Sequence, residues 1–306
     1  MAYSTGSFHS MAELQAEIEG FATTYGWTVT SGVLHKGGCA VKLGTPVSQS
    51  LQVEVSDSHD GSGNLINPYH KVIYLYEVFG GPEDSSFGMV MLYPATFHLF
   101  EFSASDEIIC VVEYNTHYVQ QMSFGTIKKI GTWGGGVYGS ATSTFLEGGN
   151  PTLSLGMALH GGFSHGAGGM WGIISGITLW YDEKPNAVIK CDVVAGGDWV
   201  INATFQSSEG PPNRVTFTPV LMSSLFVSAV DPNAPVPYLI EPTIAVKKTL
   251  TSYSIIGTIP NVRHLNIANL ELGDVIEVGN DRWKVFPMIS KLHTGQVGYA
   301  VRYEGP

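Results

Sequence analysis

A short glycine-rich run near the middle of the sequence contains the residue types that nucleophilic catalysis uses. Residues 162–166 read Gly-Phe-Ser-His-Gly, the pattern G-x-S-x-G with Ser164 at its centre. In α/β-hydrolases this pattern works because a strand turns sharply into a helix and exposes the serine oxygen. Here residues 167–169 are Ala-Gly-Gly, a poor start for a helix. The context therefore predicts an ordinary glycine loop. A hydrolase using this serine with a later histidine, His264 or His293, is an alternative.

Three glycines upstream match a dinucleotide-binding fingerprint in letters. Gly134, Gly136 and Gly139 fit G-x-G-x-x-G. That fingerprint binds a pyrophosphate only where a strand precedes it and a helix follows it. Residues 140–144 are Ser-Ala-Thr-Ser-Thr, which favour extended structure, and a chain with 37 glycines produces such matches by chance. We therefore predict that the chain binds no cofactor.

Histidines and carboxylates do not reach the number or spacing of a metal site. His160 and His165 are five residues apart, and His59 lies between Asp57 and Asp60. Neither set supplies the three or four ligands of a zinc site. The loop around His59 could hold calcium through its oxygens, but it lacks the closing bidentate glutamate, so it reads as a solvated turn. We predict no metal and no catalytic residues; a carboxylate pair for sugar hydrolysis cannot be located because its separation is spatial.

Composition restricts the partners of the chain. Its 306 residues are 44% apolar, enough for a packed core, but only 13% charged, about half the usual share. Such a surface indicates contacts with copies of the same chain or with other chains. The net charge is −11, and the densest basic spot is the pair Lys247 and Lys248. This balance predicts binding to neither nucleic acid nor an anionic membrane.

The cysteines, the N-terminus and the longest apolar stretch argue against several classes of protein. Cys39, Cys110 and Cys191 lie far apart without a C-x-x-C pair, which excludes zinc ribbons and redox motifs. They are predicted to be small core residues in a protein made in a reducing cytosol, and one disulfide between two of them is an alternative. The N-terminus lacks the features of a signal peptide. Residues 170–180, the longest apolar stretch, are too short and interrupted for a transmembrane helix.

One amphipathic helix is predicted at the start of the chain. Ser10 and Glu13 have the spacing of a capping box, and Gly26 is placed to end the helix. The apolar stripe between them consists of Leu14, Ile18, Phe21 and Tyr25.

Almost all of the remaining chain has the pattern of β-strands. The segments are of strand length, rich in Val, Ile, Tyr and Phe, and bounded by Gly, Pro, Asn or Asp. We predict a mainly β (α+β) fold, with antiparallel β-sandwich or barrel-like units and one N-terminal helix. The predicted strands are residues 51–55, 71–79, 98–102, 107–114, 118–124, 187–194, 199–206, 214–217, 244–253, 275–278, 283–287 and 298–303.

The chain is divided by two changes in composition. Residues 134–176 are loaded with Gly, Ser, Thr and aromatic residues, and we interpret them as an ordered insertion that packs on something. Residues 231–237 contain three prolines, which form a stiff connector. The predicted units are a helix plus β domain at 1–140, a β insertion or second part of that domain at 141–240, and a C-terminal β unit at 241–306.

Two parts of the sequence resemble virion structural proteins of tailed bacteriophages. In the first, a Val-Val-Glu strand (residues 111–113) precedes an aromatic-glycine strand (123–125), a Lys-x-Gly turn (129–131) and a Gly-Gly-x-Tyr ending (135–138). The second is the C-terminus, where Trp-x-Val-Phe-Pro (283–287) precedes Ala-Val-Arg (300–302). Together they cover about a third of the chain, and the motifs are structural, without an invariant chemical group.

The resemblance implies a particle component of the tail, the neck or collar, or the baseplate, and not an enzyme. Such a protein would assemble in several copies, as a homo-oligomer and with other phage structural proteins, in a virion made in the bacterial cytoplasm. Besides the hydrolase, one alternative is a glycan-binding tail appendage that recognises the host surface. Aromatic residues are favoured at interfaces, so the candidate interface residues are Trp133, Tyr138, Phe163, Trp171 and Trp283.

Overall fold

A computed structural model describes most of the predicted elements. The described residues are 1–45, 50–69, 73–76, 78–79, 89–116, 118–141, 187–193, 199–202, 216–220, 238–247, 253–287 and 297–305. The serine motif at 162–166, the candidate interface residues Phe163 and Trp171, and the proline connector at 231–237 lie outside them.

The described residues form one helix and 22 strands, so the prediction of a mainly β fold with an N-terminal helix is confirmed. The helix is α1 (Met11–Thr24). The strands are β1 (Ala2–Phe8), β2 (Thr28–Thr30), β3 (Val33–Lys36), β4 (Cys39–Gly44), β5 (Ser50–Ser56), β6 (Ile73–Tyr76), β7 (Val78–Phe79), β8 (Met89–Val90), β9 (Ala95–Phe102), β10 (Glu107–Tyr114), β11 (Tyr118–Thr126), β12 (Lys128–Lys129), β13 (Gly135–Ala141), β14 (Ala187–Cys191), β15 (Trp199–Asn202), β16 (Thr216–Val220), β17 (Thr243–Lys247), β18 (Tyr253–Thr258), β19 (Val262–Asn266), β20 (Val275–Val278), β21 (Asp281–Pro287) and β22 (Val297–Arg302).

The helix begins and ends where its sequence signals predict. The Ser10 hydroxyl accepts a hydrogen bond from the Glu13 N–H at 3.2 Å, and the Glu13 carboxylate accepts one from the His9 N–H at 2.7 Å. These contacts satisfy N–H groups that have no partner within the helix. Gly26 follows the last turn with φ of 88°, a conformation that glycine adopts without strain. Leu14, Ile18 and Phe21 of the apolar stripe are buried against the sheets, whereas Tyr25, just after the helix, is 40% exposed.

The centre of the molecule is an eleven-stranded sheet in the order β1-β9-β10-β11-β13-β14-β15-β16-β17-β18-β12. Strand β10 shows how this sheet separates two cores. Its Ile108, Cys110 and Val112 pack into one cluster, and Ile109 and Val111 pack into another on the opposite face. The alternation follows from the two-residue period of a strand.

The sheet closes on itself around the second cluster. Only Ile127 separates β11 from β12, yet β12 pairs with β18 at the far end of the strand order. The Ile127 N–H donates to the Gly136 carbonyl on one side, and the Ile130 N–H donates to the Ile256 carbonyl on the other. The order of hydrogen-bonded strands from β11 through β13 to β18 therefore ends at β12, which directly continues β11 in the chain. The apolar side chains gathered along this path include Ile127, Ile189, Val200, Ile244, Val246 and Ile256.

Two smaller sheets cover the central one. The helix and a sheet in the order β2-β3-β4-β5-β6 contribute to the first cluster. A C-terminal sheet in the order β19-β22-β21-β20 packs on the second through Phe286, Tyr299 and Val301. Within β21, Trp283 and Phe286 face opposite sides, since they belong to different clusters. Both are buried, because the C-terminal sheet has a third cluster on its outer face.

Two predictions about these elements are wrong. Residues 134–176 are interpreted above as an insertion, but Gly135 and Gly136 begin β13, a strand of the central sheet that pairs with β11 and β14. Residues 244–253 were predicted as one strand, but they contribute to both β17 and β18, which pair antiparallel. The predicted domain boundaries stay a prediction, although the central sheet takes strands from all three predicted units.

Replacing Gly257 with alanine is expected to weaken the seam where the sheet closes. A Cβ atom there would lie 2.6 Å from both the Lys128 carbonyl oxygen and the Ile127 Cδ1 atom. Because the carbonyl belongs to the backbone, β12 must shift, and we expect the free energy of unfolding to fall by about 2 kcal/mol. Chemical denaturation followed by tryptophan fluorescence measures it. Gly38→Ala is the control, since a Cβ there meets no atom within 4 Å. Equal effects of the two substitutions would contradict the closure.

Candidate functional site

A fully buried carboxylate occupies the centre of the second core. Glu107 begins β10 and lies on the same face as Ile109 and Val111, with 1% of its surface exposed. The neighbouring strand has Gly125 at this level, where φ is 151° and a Cβ atom would lie 2.6 Å from the Glu107 Cα. Only glycine allows this approach of the two backbones.

A tyrosine reaches the carboxylate from the far side of that glycine. Tyr138 pairs with Gly125 in the register of β13 and β11. Its side chain crosses β11, and its hydroxyl donates a hydrogen bond to Glu107 Oε1. An aromatic ring beside a strand glycine covers the backbone that the glycine leaves bare. Tyr138 is 0% exposed.

The second carboxylate oxygen binds the C-terminal part of the chain. Asn261 Nδ2, just before β19, donates to Glu107 Oε2 at 2.7 Å and approaches the Ser105 hydroxyl at 3.0 Å. Ser105 also donates to Glu107 Oε2, at 3.2 Å. The Asn261 carbonyl accepts from the Arg302 N–H of β22. We call Ser105, Glu107, Tyr138 and Asn261 the Glu107 joint, because they fasten the C-terminal sheet to the central sheet.

Burial dominates the electrostatics of the Glu107 joint. Loss of water raises the pKa of Glu107, while the hydrogen bonds from Asn261, Tyr138 and Ser105 act in the opposite direction. Burial and the adjacent carboxylate raise the pKa of Tyr138, so the phenol stays protonated and keeps donating. The donors of the joint are directed at the carboxylate, and the arrangement holds two sheets together.

A second group of polar side chains joins the N-terminal strand to the same core. The Tyr3 hydroxyl lies 2.8 Å from His98 Nδ1, and His98 Nε2 lies 3.7 Å from the Glu113 carboxylate. The His98 ring contacts Phe286 of the C-terminal sheet, with 5.3 Å between ring centroids. We call Tyr3, His98 and Glu113 the His98 cluster.

The His98 cluster has the order hydroxyl, imidazole and carboxylate that also occurs in nucleophilic catalysis. However, burial raises the pKa of Tyr3, which makes its phenol a poorer source of a nucleophilic oxygen at neutral pH. The Tyr3 ring is also packed edge-on against Tyr303, at 4.9 Å between centroids. The contact of the Tyr3 hydroxyl with Nδ1 therefore serves to fix the orientation of His98.

A third group fastens the five-stranded sheet to the central one. Lys36 Nζ contacts Glu101 Oε1 at 2.6 Å, and it also donates to the Tyr25 carbonyl at 3.1 Å. Glu101 is 1% exposed and accepts from the Ser103 hydroxyl with both oxygens at 2.9 Å. A buried carboxylate of this kind needs its cation, because an unpaired charge in a core is costly.

Removing the cation from this third group is expected to destabilise the fold. Lys36→Met keeps the length of the side chain but leaves Glu101 with the hydroxyl of Ser103 alone. We expect the free energy of unfolding at neutral pH to fall by about 2–4 kcal/mol. Denaturant titration measures the loss, and Lys36→Arg, which keeps the charge, should recover most of it. A loss below about 0.5 kcal/mol would show that water screens this pair.

The described aromatic residues predicted for an interface lie mostly inside the chain. Tyr138 and Trp283 are 0% and 3% exposed, so both side chains pack inside the folded chain, and their role at an interface stays a prediction. Trp133 is partly buried, and its Nε1 donates to the carbonyls of Ile130 and Ile256 at 3.1 and 3.2 Å. It thus spans the seam of the closed sheet. Phe163 and Trp171 lie outside the described residues.

The residues considered for a metal or redox site have structural roles, as far as the structure describes them. Asp60 accepts hydrogen bonds from the backbone N–H groups of Ser62 and Asn64, as in a solvated turn. Asp57 pairs with Lys190 at 3.0 Å. Within the described residues, no three metal-ligating side chains come together. The three cysteines are buried, as predicted for core residues, and form no disulfide. No helix in the described ranges is long and apolar enough to cross a membrane.

Sequence reasoning missed the central residues of these groups. Glu107 had a weak signal, because a charged residue begins an otherwise apolar run from Ile108 to Val112. Asn261 had none, since it is 154 residues away from its partner.

The chain matches no protein-family model and no curated protein. The likeness to phage virion proteins therefore depends on the sequence motifs alone.

Proposed function

We propose that this chain is a structural component of a tailed-phage particle, in the tail, neck or baseplate. It assembles in several copies through contacts with itself and with other particle proteins. One observation carries the proposal: the motifs that give the resemblance are the residues that build the closed sheet and its covering sheet.

The first motif accounts for three neighbouring strands and the seam. Its Val-Val-Glu segment lies in β10, its aromatic-glycine segment in β11, and its Gly-Gly-x-Tyr segment in β13. The Lys-x-Gly turn contains Lys129, whose Nζ donates to the carbonyls of Trp133 and Gly135 at 3.0 and 3.3 Å. Tyr138 belongs to the Glu107 joint, and Gly125 allows the close approach of the two backbones beside it. These residues serve architecture, which is the role that the resemblance implies.

The polar groups support the same proposal. The Glu107 joint and the Lys36–Glu101 pair lie between sheets, where their hydrogen bonds fix one layer on another, and the His98 ring contacts Phe286 of the C-terminal sheet. Buried polar networks of this kind specify a single arrangement of the layers. A subunit that repeats in a particle needs that uniformity, because symmetric copies must present the same surface.

Two strands are placed where neighbouring subunits could add to a sheet. Strand β1 is terminal in the central sheet and β20 is terminal in the C-terminal sheet, among the strands that the structure describes. On β20, Val275 and Val278 are 37% and 46% exposed. Terminal strands with exposed apolar side chains favour addition of a strand from a partner.

Quantitative mass spectrometry of gradient-purified particles tests the proposal. Particles made from the genome that encodes this chain should contain it at a fixed ratio to their other proteins, in several copies per particle. The purified chain alone should self-associate in size-exclusion chromatography with light scattering. Absence from the particles, together with a monodisperse monomer in solution, would contradict the proposal. Binding to host glycans on an array would favour the tail-appendage alternative.

A further inference from the structure

Two imidazole rings lie stacked on the outer face of the five-stranded sheet. His35, on β3, and His59, in the segment after β5, have ring centroids 4.2 Å apart and planes inclined by 33°. Because His59 belongs to a loop and His35 to the sheet, the stack attaches one to the other. We call residues 57–66 the histidine loop.

The histidine loop lies over the sheet and is held by side chains along its length. The Ser31 hydroxyl donates to the Gly61 carbonyl at 3.4 Å, and Lys42 Nζ donates to the Gly63 carbonyl at 3.3 Å. The Ser56 hydroxyl donates to the Ile66 carbonyl. Under this end of the loop, Ser56 is 0% exposed. These hydrogen bonds hold the loop as a cover on the sheet.

The hydrogen bond of His59 requires a particular protonation state of its ring. His59 Nδ1 accepts a hydrogen bond from the Gly61 N–H at 3.2 Å, so this nitrogen carries no proton. His35 Nε2 lies 3.0 Å from the Thr30 hydroxyl. A proton on His59 Nδ1 would oppose the Gly61 N–H and would place positive charge beside His35. Protonation thus removes a hydrogen bond and adds repulsion at the same point.

The charged side chains of the loop and of the adjoining strands have partners of their own. In the loop, Asp60 is occupied by Ser62 and Asn64, and Asp57 pairs with Lys190 of β14. On the sheet, Lys42 of β4 and Glu54 of β5 are opposite each other in the register. Glu54 also accepts from Gln52 at 2.7 Å.

We propose that the histidine loop is an acid-released clip, which covers the sheet while both imidazoles are neutral and detaches when they are protonated. Burial, and then the charge of His59, lower the pKa of His35. A histidine whose pKa is lowered in the closed state stabilises that state at pH values above its ordinary pKa of about 6.5. This stabilisation of the closed state is lost as the pH falls below about 6.5. Release would uncover Ser56 and the adjoining face of β4 and β5.

Hydrogen–deuterium exchange of the full chain tests the clip. Peptides that cover residues 57–66 should exchange at least about tenfold faster at about pH 5.5 than at about pH 7.5, after correction for the intrinsic rate. In His59→Gln, the amide oxygen can still accept from Gly61 but cannot be protonated, so the ratio should fall below about twofold. His9→Gln, which removes an exposed histidine elsewhere, should keep the full response.

Two results would overturn the clip. One is a loop whose corrected exchange in the unmodified chain does not change with pH. The other is an unchanged pH response in His59→Gln. If His59→Gln opens the loop at every pH, NMR titration of the imidazoles in the unmodified chain is the deciding test of the clip. The midpoint of loop opening should agree with that of His35 or His59 within about half a pH unit, and a larger separation contradicts the proposal.

Discussion

Asn261→Asp is expected to destabilise the chain strongly at alkaline pH and much less in acid. The change replaces the amide nitrogen that lies 2.7 Å from Glu107 Oε2 with a carboxylate oxygen. Two carboxylates in a buried site cannot both be charged, so the pair must hold a proton and its pKa rises. We expect the free energy of unfolding to fall by about 4 kcal/mol at about pH 8, because a buried charge then lacks its partner.

The sign of the pH dependence distinguishes this account from a general loss of packing. A carboxyl group whose pKa is raised in the folded state stabilises the fold fully at pH values below its pKa in the unfolded chain, about 4. This stabilisation is lost as the pH rises through the pKa of the group in the folded chain. The variant should therefore recover at least about half of its loss between about pH 8 and about pH 5. Denaturant titration at each pH measures this recovery.

A matched asparagine provides the control for Asn261→Asp. Asn266 Oδ1 accepts a hydrogen bond from the Ala268 N–H at 2.8 Å, which a carboxylate oxygen accepts equally well. Asn266→Asp should change stability by less than about 1 kcal/mol. An Asn261→Asp variant with the same small, pH-independent effect would show that the Glu107 joint does not hold the C-terminal sheet.

Gly125→Ala is expected to disrupt the sheet beside the same joint. The new Cβ would lie 2.6 Å from the Glu107 Cα and 2.7 Å from the Asp106 carbonyl oxygen, and both contacts are with backbone. The residue would also have to keep φ at 151°, which L-amino acids rarely adopt. Strain and displacement of β10 together should cost more than about 3 kcal/mol. The midpoint of chemical denaturation measures the loss.

Gly32→Ala separates the two causes. Gly32 has φ of 82° in the turn between β2 and β3, and a Cβ there meets no atom within 4 Å. It carries backbone strain without the close approach, so its cost should stay near 1 kcal/mol. If Gly125→Ala costs no more than Gly32→Ala, the approach of β10 to β11 does not require glycine.

Local signals in the sequence were sufficient for the helix and for most strands. Ser10, Glu13 and Gly26 delimit the helix because caps act on neighbouring residues. Residues 107–114 alternate between two cores, and the predicted strand has the observed bounds. In each case the decisive contacts lie within the segment or follow from its own period.

Strand β13 could not be predicted, because its glycines have a long-range cause. Glycine is unfavourable in strands, so the run at 134–136 indicated a loop. In the folded chain a Cβ at Gly135 would collide with the Lys190 carbonyl of β14, a residue 55 positions away. The same limit applies to the Glu107 joint, whose members come from β10, β13 and the approach to β19. Sequence periodicity describes a segment and does not identify its distant partners.

The inward packing of Tyr138 and Trp283 could not be predicted from the sequence for a related reason. An aromatic beside glycines resembles an exposed anchor when only its neighbours are known. Tyr138 instead covers Gly125 on the adjacent strand, and Trp283 packs under Arg263, whose Cζ lies 4.4 Å from its ring. The outer face of the C-terminal sheet is a core of its own, which a strand pattern alone does not indicate.

A reconstruction of the particle by electron cryo-microscopy tests the central proposal most directly. The account predicts density for this closed sheet and its C-terminal cover in several symmetry-related copies, with a neighbouring protein or copy beside β1 or β20. A complete particle map without this fold at any position would contradict a structural role in the virion.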